Sequence, residues 1–205
     1  MDLTRSRRWP LAALALAGFA LAAGVPAGAS TFIRASLESL VASHETIVLG
    51  EVLEARSYWN SVHSFILTDV TVKVEEVLKG RLPGHELTFT LMGGTVGDLT
   101  SVIVGGAALE RGNSYVLFVG RGNLPGAKGV LTVREHGQGV FDVVVAKDGL
   151  RAVSQANGHP LLPDAKGFSA APGGAEGMPL SELTRSIREL AEAAPSARPT
   201  RQEVQ

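Results

Sequence analysis

The chain has 205 residues, with 19 Lys plus Arg against 20 Asp plus Glu, a formal net charge of −1, and no cysteine. That balance argues against nucleic acid, whose binders concentrate basic residues to neutralise phosphates, and it offers no polybasic patch for anionic lipid. The missing cysteine excludes disulfides, thiolate zinc sites, a cysteine nucleophile and a lipid-modified cysteine anchor.

Residues 1–29 read as a leader. Arg5, Arg7 and Arg8 precede an apolar run of 13 residues, 11–23, and small residues follow up to Ala27, Gly28 and Ala29. Basic, apolar and small-residue segments in that order are those of a secretory signal peptide, with cleavage after Ala29 and a mature chain from Ser30. The apolar run is too short for a bilayer core, which takes ~20 apolar residues, and no later segment comes closer. The expectation is an exported protein, periplasmic or extracellular, with no stable membrane insertion once the leader is gone. What remains is of single-domain length.

Ser36 can cap a short helix in which Leu37, Leu40 and Val41 recur at i, i+3 and i+4, ending near His44. From Thr46 the pattern is that of a strand, with Ile47, Val48, Leu49 and Val52 in a β-rich run to Tyr58 and Trp59, followed by a loop at 60–63.

The next strand, 65–78, carries the strongest structural signal. Phe65 and Leu67 alternate, Val70, Val72 and Val74 alternate in the opposite phase, and Val77 shifts again. Neighbouring side chains point to opposite faces, so burying all of them requires extra residues, read as β-bulges near Thr68-Asp69 and near Glu75-Glu76. Fully extended, this segment would span ~46 Å at ~3.3 Å per residue, against ~40 Å across a compact chain of this length, so it must bend.

A Pro83-Gly84 turn leads to a third strand with Leu87, Phe89 and Leu91. Gly93, Gly94 and Gly97 precede a short strand at 101–104, 109–113 form a turn, and the apolar run 115–119 suits a central buried strand. Strands at 130–133 and 140–146 follow, the latter turning through Lys147, Asp148 and Gly149 into 150–153. This mainly β pattern predicts a small OB-like barrel, closed or partly open, of about six to eight strands. The barrel domain with its N-terminal helix covers 30–153. A Gly/Pro-rich loop occupies 154–178, a helix with Leu183, Ile187 and Leu190 on one face occupies 179–194 and packs on the barrel, and 195–205 read as a disordered tail.

Candidate chemistry is sparse. His44, His63, His85, His136 and His159 lack ligand spacing and fall in expected turns, so they read as surface histidines rather than metal ligands. Asp69, Glu75 and Glu76 read as solvated strand charges. Gly93-Gly94-Thr95-Val96-Gly97 leads to a strand and not to a helix, which favours close backbone approach over phosphate binding. No Gly-x-Ser-x-Gly elbow is present. No catalytic, cofactor-binding or metal residue is therefore assigned, and no cofactor is expected. The remaining candidates are Tyr58, Trp59 and His63 around a loop at one barrel end, where aromatics can form a partner-contact surface; the alternative is that Trp59 plugs the barrel mouth.

The run Thr68-Asp69-Val70-Thr71-Val72-x-Val74-x-x-Val77-Leu78-Lys79-Gly80, preceded by Ile47-Val48-x-Gly50-x-Val52 and followed by Leu109-x-x-Gly112-x-x-Tyr115-Val116-Leu117-Phe118, resembles a group of exported bacterial proteins. More distantly it is similar to netrin-like modules, the OB-type barrel of tissue inhibitors of metalloproteinases. The resemblance implies fold more than function. Those inhibitors chelate the protease zinc through an amino-terminal cysteine held by disulfides, which this chain lacks. The leading expectation is an exported non-enzymatic binding module whose partner is another exported protein. An accessory or inhibitor of an exported metalloprotease, and a hydrolase assembled from distant strands, are the alternatives.

Overall fold

The computed structural model describes residues 32–134, 136–158, 161–162 and 173–193. The leader 1–29, the tail 195–205, His159 and much of the 154–178 stretch lie outside the described residues. In chain order the elements are β1 (Phe32–Ile33), α1 (Leu37–Ser43), β2 (Thr46–Trp59), β3 (Ile66–Lys79), β4 (Glu86–Met92), β5 (Gly94–Val96), β6 (Leu99–Ser101), β7 (Ser114–Leu124), β8 (Ala127–Val133), β9 (Val140–Ala146), β10 (Gly149–Ser154), β11 (Leu161–Leu162), β12 (Met178–Pro179) and α2 (Leu180–Ala193). The chain is mainly β with two helices, one near the C-terminus. Neither helix is long and apolar enough to cross a membrane.

One sheet dominates, in the order β12-β10-β9-β7-β2-β3-β4, with β8 also paired to β7. Strand β7 is long enough to serve three neighbours: its first half pairs with β2 and β9, and its second half with β8. The sheet curls but does not close. Strands β4 and β8 approach each other without a hydrogen-bonded ladder, and Leu91 and Met92 face Thr132 and Val133 across a cavity of about 50 Å³.

Both faces of the sheet centre are covered, which is why 115–119 is apolar without alternation. Ile47, Val116, Phe118 and Phe141 point to one side and pack with Leu40 and Val41 of α1 and with Leu183 and Ile187 of α2. Val48, Val52, Tyr115, Leu117 and Val140 point to the other, the concave interior, and meet Val70, Val72, Leu87 and Phe89. Ser36 caps α1, its Oγ accepting from Ser39 N at 3.2 Å. At the far end of that helix, Lys79 Nζ donates to the carbonyls of Val41 and His44, a cation satisfying orphan carbonyls where the helix dipole is negative. Burial there holds the Lys79 ammonium below its ordinary pKa.

The bulges of β3 are partly where the sequence places them. Between β2 and β3 the register slips at three points. Glu75 is an extra residue, as expected near Glu75-Glu76; Leu78 is a second, and Leu53 on β2 a third. The bulge expected near Thr68-Asp69 is absent, because Ser57↔Thr68 and Arg56↔Asp69 lie in unbroken ladder. The reason is that both faces are covered here: Ile66 is buried in phase with Val70 and Val72, Leu67 is buried on the opposite face, and Phe65 stays 43% exposed. The strand expected at 101–104 also ends early, at Ser101, and Val102 and Val104 stand in solvent. Within 154–178, a helical turn at Gln155–Gly158 and the short strands β11 and β12 interrupt the expected loop. His44 is not a surface histidine. It is buried, its Nδ1 is 2.7 Å from Leu40 O, and its ring meets Phe118 edge-on at 5.7 Å.

Candidate functional site

Two surfaces carry recognition-type side chains. The first is the tip of the β2–β3 hairpin, where Trp59 and Ile66 are the last ladder pair and 60–65 form the turn. Asn60 organises it. Its Oδ1 accepts from Ser64 N at 2.9 Å and from Phe65 N at 3.3 Å, an arrangement for which asparagine side chains are suited at turns. Its Nδ2 donates to Pro125 O at 3.1 Å, which ties the tip to the turn between β7 and β8. The side chain is 98% buried, so these bonds are made away from water and hold the turn firmly. His63 takes a left-handed backbone, φ 53°, and this stacks its ring on Trp59 with centroids 6.2 Å apart and planes 27° from parallel. Val62 and Phe65, at 68% and 43% exposure, lie on the same turn, and Phe65, adjoining Ile66, faces the side of the hairpin away from Trp59.

Of the three candidate residues, the structure brings Trp59 and His63 together and sends Tyr58 elsewhere. Adjacent strand residues face opposite sides of the sheet. Tyr58 Oη donates to Asp69 Oδ1 at 3.0 Å, and Thr90 Oγ1 donates to the same oxygen at 2.7 Å. Burial first, then the Asp69 hydrogen bond and charge, push the Tyr58 phenol above its ordinary pKa. Asp69 is thus a hydrogen-bonded strand residue and not part of a carboxylate pair. Glu76 pairs with Arg188 of α2.

The second surface lies around a strap, residues 102–108, between β6 and β7. Gly137 N donates to Gly105 O at 2.7 Å, and Gly106 N to Ile103 O at 2.9 Å. Gln155 holds the end of the strap: Oε1 accepts from Ala108 N at 3.0 Å and Nε2 donates to Ala108 O. Where the strap meets Tyr115, Asp142 and Val153, an open cleft of about 850 Å³ forms. Gly93 and Gly94 form part of its wall. A Cβ on Gly94 would lie 2.2 Å from Thr68 Oγ1 and 2.3 Å from Ser57 Oγ, so the glycine loop serves close approach as its sequence suggests. Sequence reading missed both Asn60 and the strap. An asparagine opening a turn was the available signal for the first; nothing local marks the second.

Among the described residues, no three His, Asp or Glu gather in a way that could hold a metal ion. No protein-family model matches the chain, and no curated protein is significantly similar to it.

Proposed function

We propose that this is an exported, non-enzymatic binding module, built on an OB-like, netrin-like, partly open barrel, that contacts another exported protein through the β2–β3 hairpin tip. The observation that carries this reading is the exposure of Val62 and Phe65 on a turn anchored by Asn60 and adjoining the stacked Trp59 and His63. Clustered aromatic and aliphatic side chains on a rigid loop bury large area at low ordering cost, which is the requirement for a hot spot. The curled sheet with its connecting loops is the kind of scaffold on which recognition is commonly carried.

Residues 1–29 direct export in this reading, and N-terminal sequencing of protein recovered outside the cytoplasm should begin at Ser30. The contact surface is tested by immobilising the purified chain and its Val62→Ser/Phe65→Ser variant against the exported fraction of the native host. A protein retained by the first and lost by the second supports the reading. Equal retention by both, or no retention alongside turnover in a hydrolase substrate panel, overturns it.

A further inference from the structure

We propose that Arg34, in the link between β1 and α1, is a binding site for a carboxylate carried by a ligand. Arg34 is only 9% exposed, and its Nε and Nη1, both shut off from water, donate to no acceptor. Among the described residues no Asp or Glu forms an ion pair with it. A buried guanidinium with nothing to answer its charge is costly, and an arginine cannot relieve the cost by shedding its proton as a lysine can. Native folds satisfy nearly all buried donors, so two on one cation point to a partner from outside the chain.

The surrounding main chain is held firmly. Gln138, itself buried in the helical turn His136–Gly139, grips the backbone on both sides of Arg34. Its Oε1 accepts from Ala35 N at 2.8 Å, and its Nε2 donates to Ile33 O at 3.1 Å. Two residues beyond Arg34, Ser36 is fixed as the cap of α1. The backbone therefore cannot shift to carry the guanidinium out into water without breaking these bonds.

The third nitrogen supplies the entry. Nη2 donates no hydrogen bond either, and it is the guanidinium nitrogen that keeps contact with solvent. A guanidinium offers an oxyanion two forks, Nη1 with Nη2 and Nε with Nη2. Each fork joins the open nitrogen to a buried donor, so a group docking at Nη2 satisfies an orphan as well. One positive charge matches a monoanion, and the flat edge of a carboxylate fits the fork; a phosphate dianion would leave charge unanswered.

This inference does not rest on the hairpin tip, and its test involves neither Val62 nor Phe65. The purified, isotope-labelled full chain is titrated with sodium acetate, acetyl-Gly-Asp-Gly-amide and sodium phosphate at constant ionic strength. The readouts are the Nε–Hε resonance of Arg34, identified by its loss in Arg34→Lys, and the backbone amides of Ile33 and Ala35. Saturable shifts with acetate and with the peptide are expected. Tighter binding of the peptide than of acetate supports an acidic side chain as the source of the carboxylate, and equal binding supports a free acid. Arg34→Lys keeps the charge but loses the fork, and should weaken acetate binding about tenfold. Arg34→Met should abolish the response and, without acetate, unfold at higher urea than the parent chain, because it removes an unanswered buried charge. An Nε–Hε resonance that does not move, phosphate binding more tightly than acetate, or Arg34→Met unfolding at lower urea than the parent would each overturn the proposal.

Discussion

Gln155 binds Ala108 as one strand binds another: its side-chain amide accepts from Ala108 N at 3.0 Å and donates to Ala108 O at 2.6 Å, reproducing a ladder pair across 47 residues of sequence. The strap is therefore held at its end by one side chain. Gln155→Ala should raise hydrogen exchange at the Ala108 amide while leaving the β2–β3 ladder protected, and should cost about 1 kcal/mol in urea unfolding. Unchanged exchange at Ala108 would show that the strap stays in place without it.

Gly94 has φ +125° and no room for a Cβ, whereas Gly129, with φ +63°, has nothing within 4 Å of one. Both alanine variants incur backbone strain of about 1–2 kcal/mol, but only Gly94→Ala must also displace Thr68 and Ser57. Thermal unfolding should therefore rank Gly94→Ala well below Gly129→Ala. Equal melting temperatures would contradict the close approach.

The Tyr58 phenol, raised by burial and by Asp69, should titrate above the ordinary value of 10.0. Because the folded-state pKa is the higher one, the folded protein holds the proton more tightly. Its contribution to stability is complete below pH ~10 and is lost as pH rises through the folded-state pKa. Asp69→Asn removes the charge while keeping a neutral acceptor oxygen and leaving burial, so the tyrosinate absorbance of Tyr58 should appear at lower pH than in the parent chain. No change in that titration would separate Asp69 from Tyr58.

Helix α2 docks through Leu183 and Ile187, both fully buried, while Arg188 reaches Glu76 from a position about 42% exposed. Ile187→Ala should cost about 2–5 kcal/mol, and Arg188→Ala less than about 1, since a solvated ion pair gains little. A larger loss at Arg188 than at Ile187, measured by denaturant unfolding, would reverse the order of packing and charge argued for this helix.

Much of the element order was legible because it depends on neighbours in sequence. Ser36 and the Leu37, Leu40, Val41 stripe define α1, and a β-rich run from Thr46 to Tyr58 and Trp59 brackets β2. The extra residue near Glu75-Glu76 was visible as a phase slip. The pattern counted from Phe65 and Leu67 also points to one at Thr68-Asp69, and only packing reveals that Ile66 and Leu67 are both buried, on opposite faces, without it. Of the contact candidates, Trp59 and His63 meet and Tyr58 does not, a separation that strand alternation alone already required.

By itself the sequence determined the first helix, the long strands and the last helix, because periodicity, caps and turn residues act over a few residues. The tertiary structure alone decided that the sheet stays open between β4 and β8, that Asn60 reaches Pro125, and that Gln155 reaches Ala108 beside Asp142. Those contacts join residues far apart in the chain. They depend on twist accumulated strand by strand across the sheet, and no local pattern records that sum.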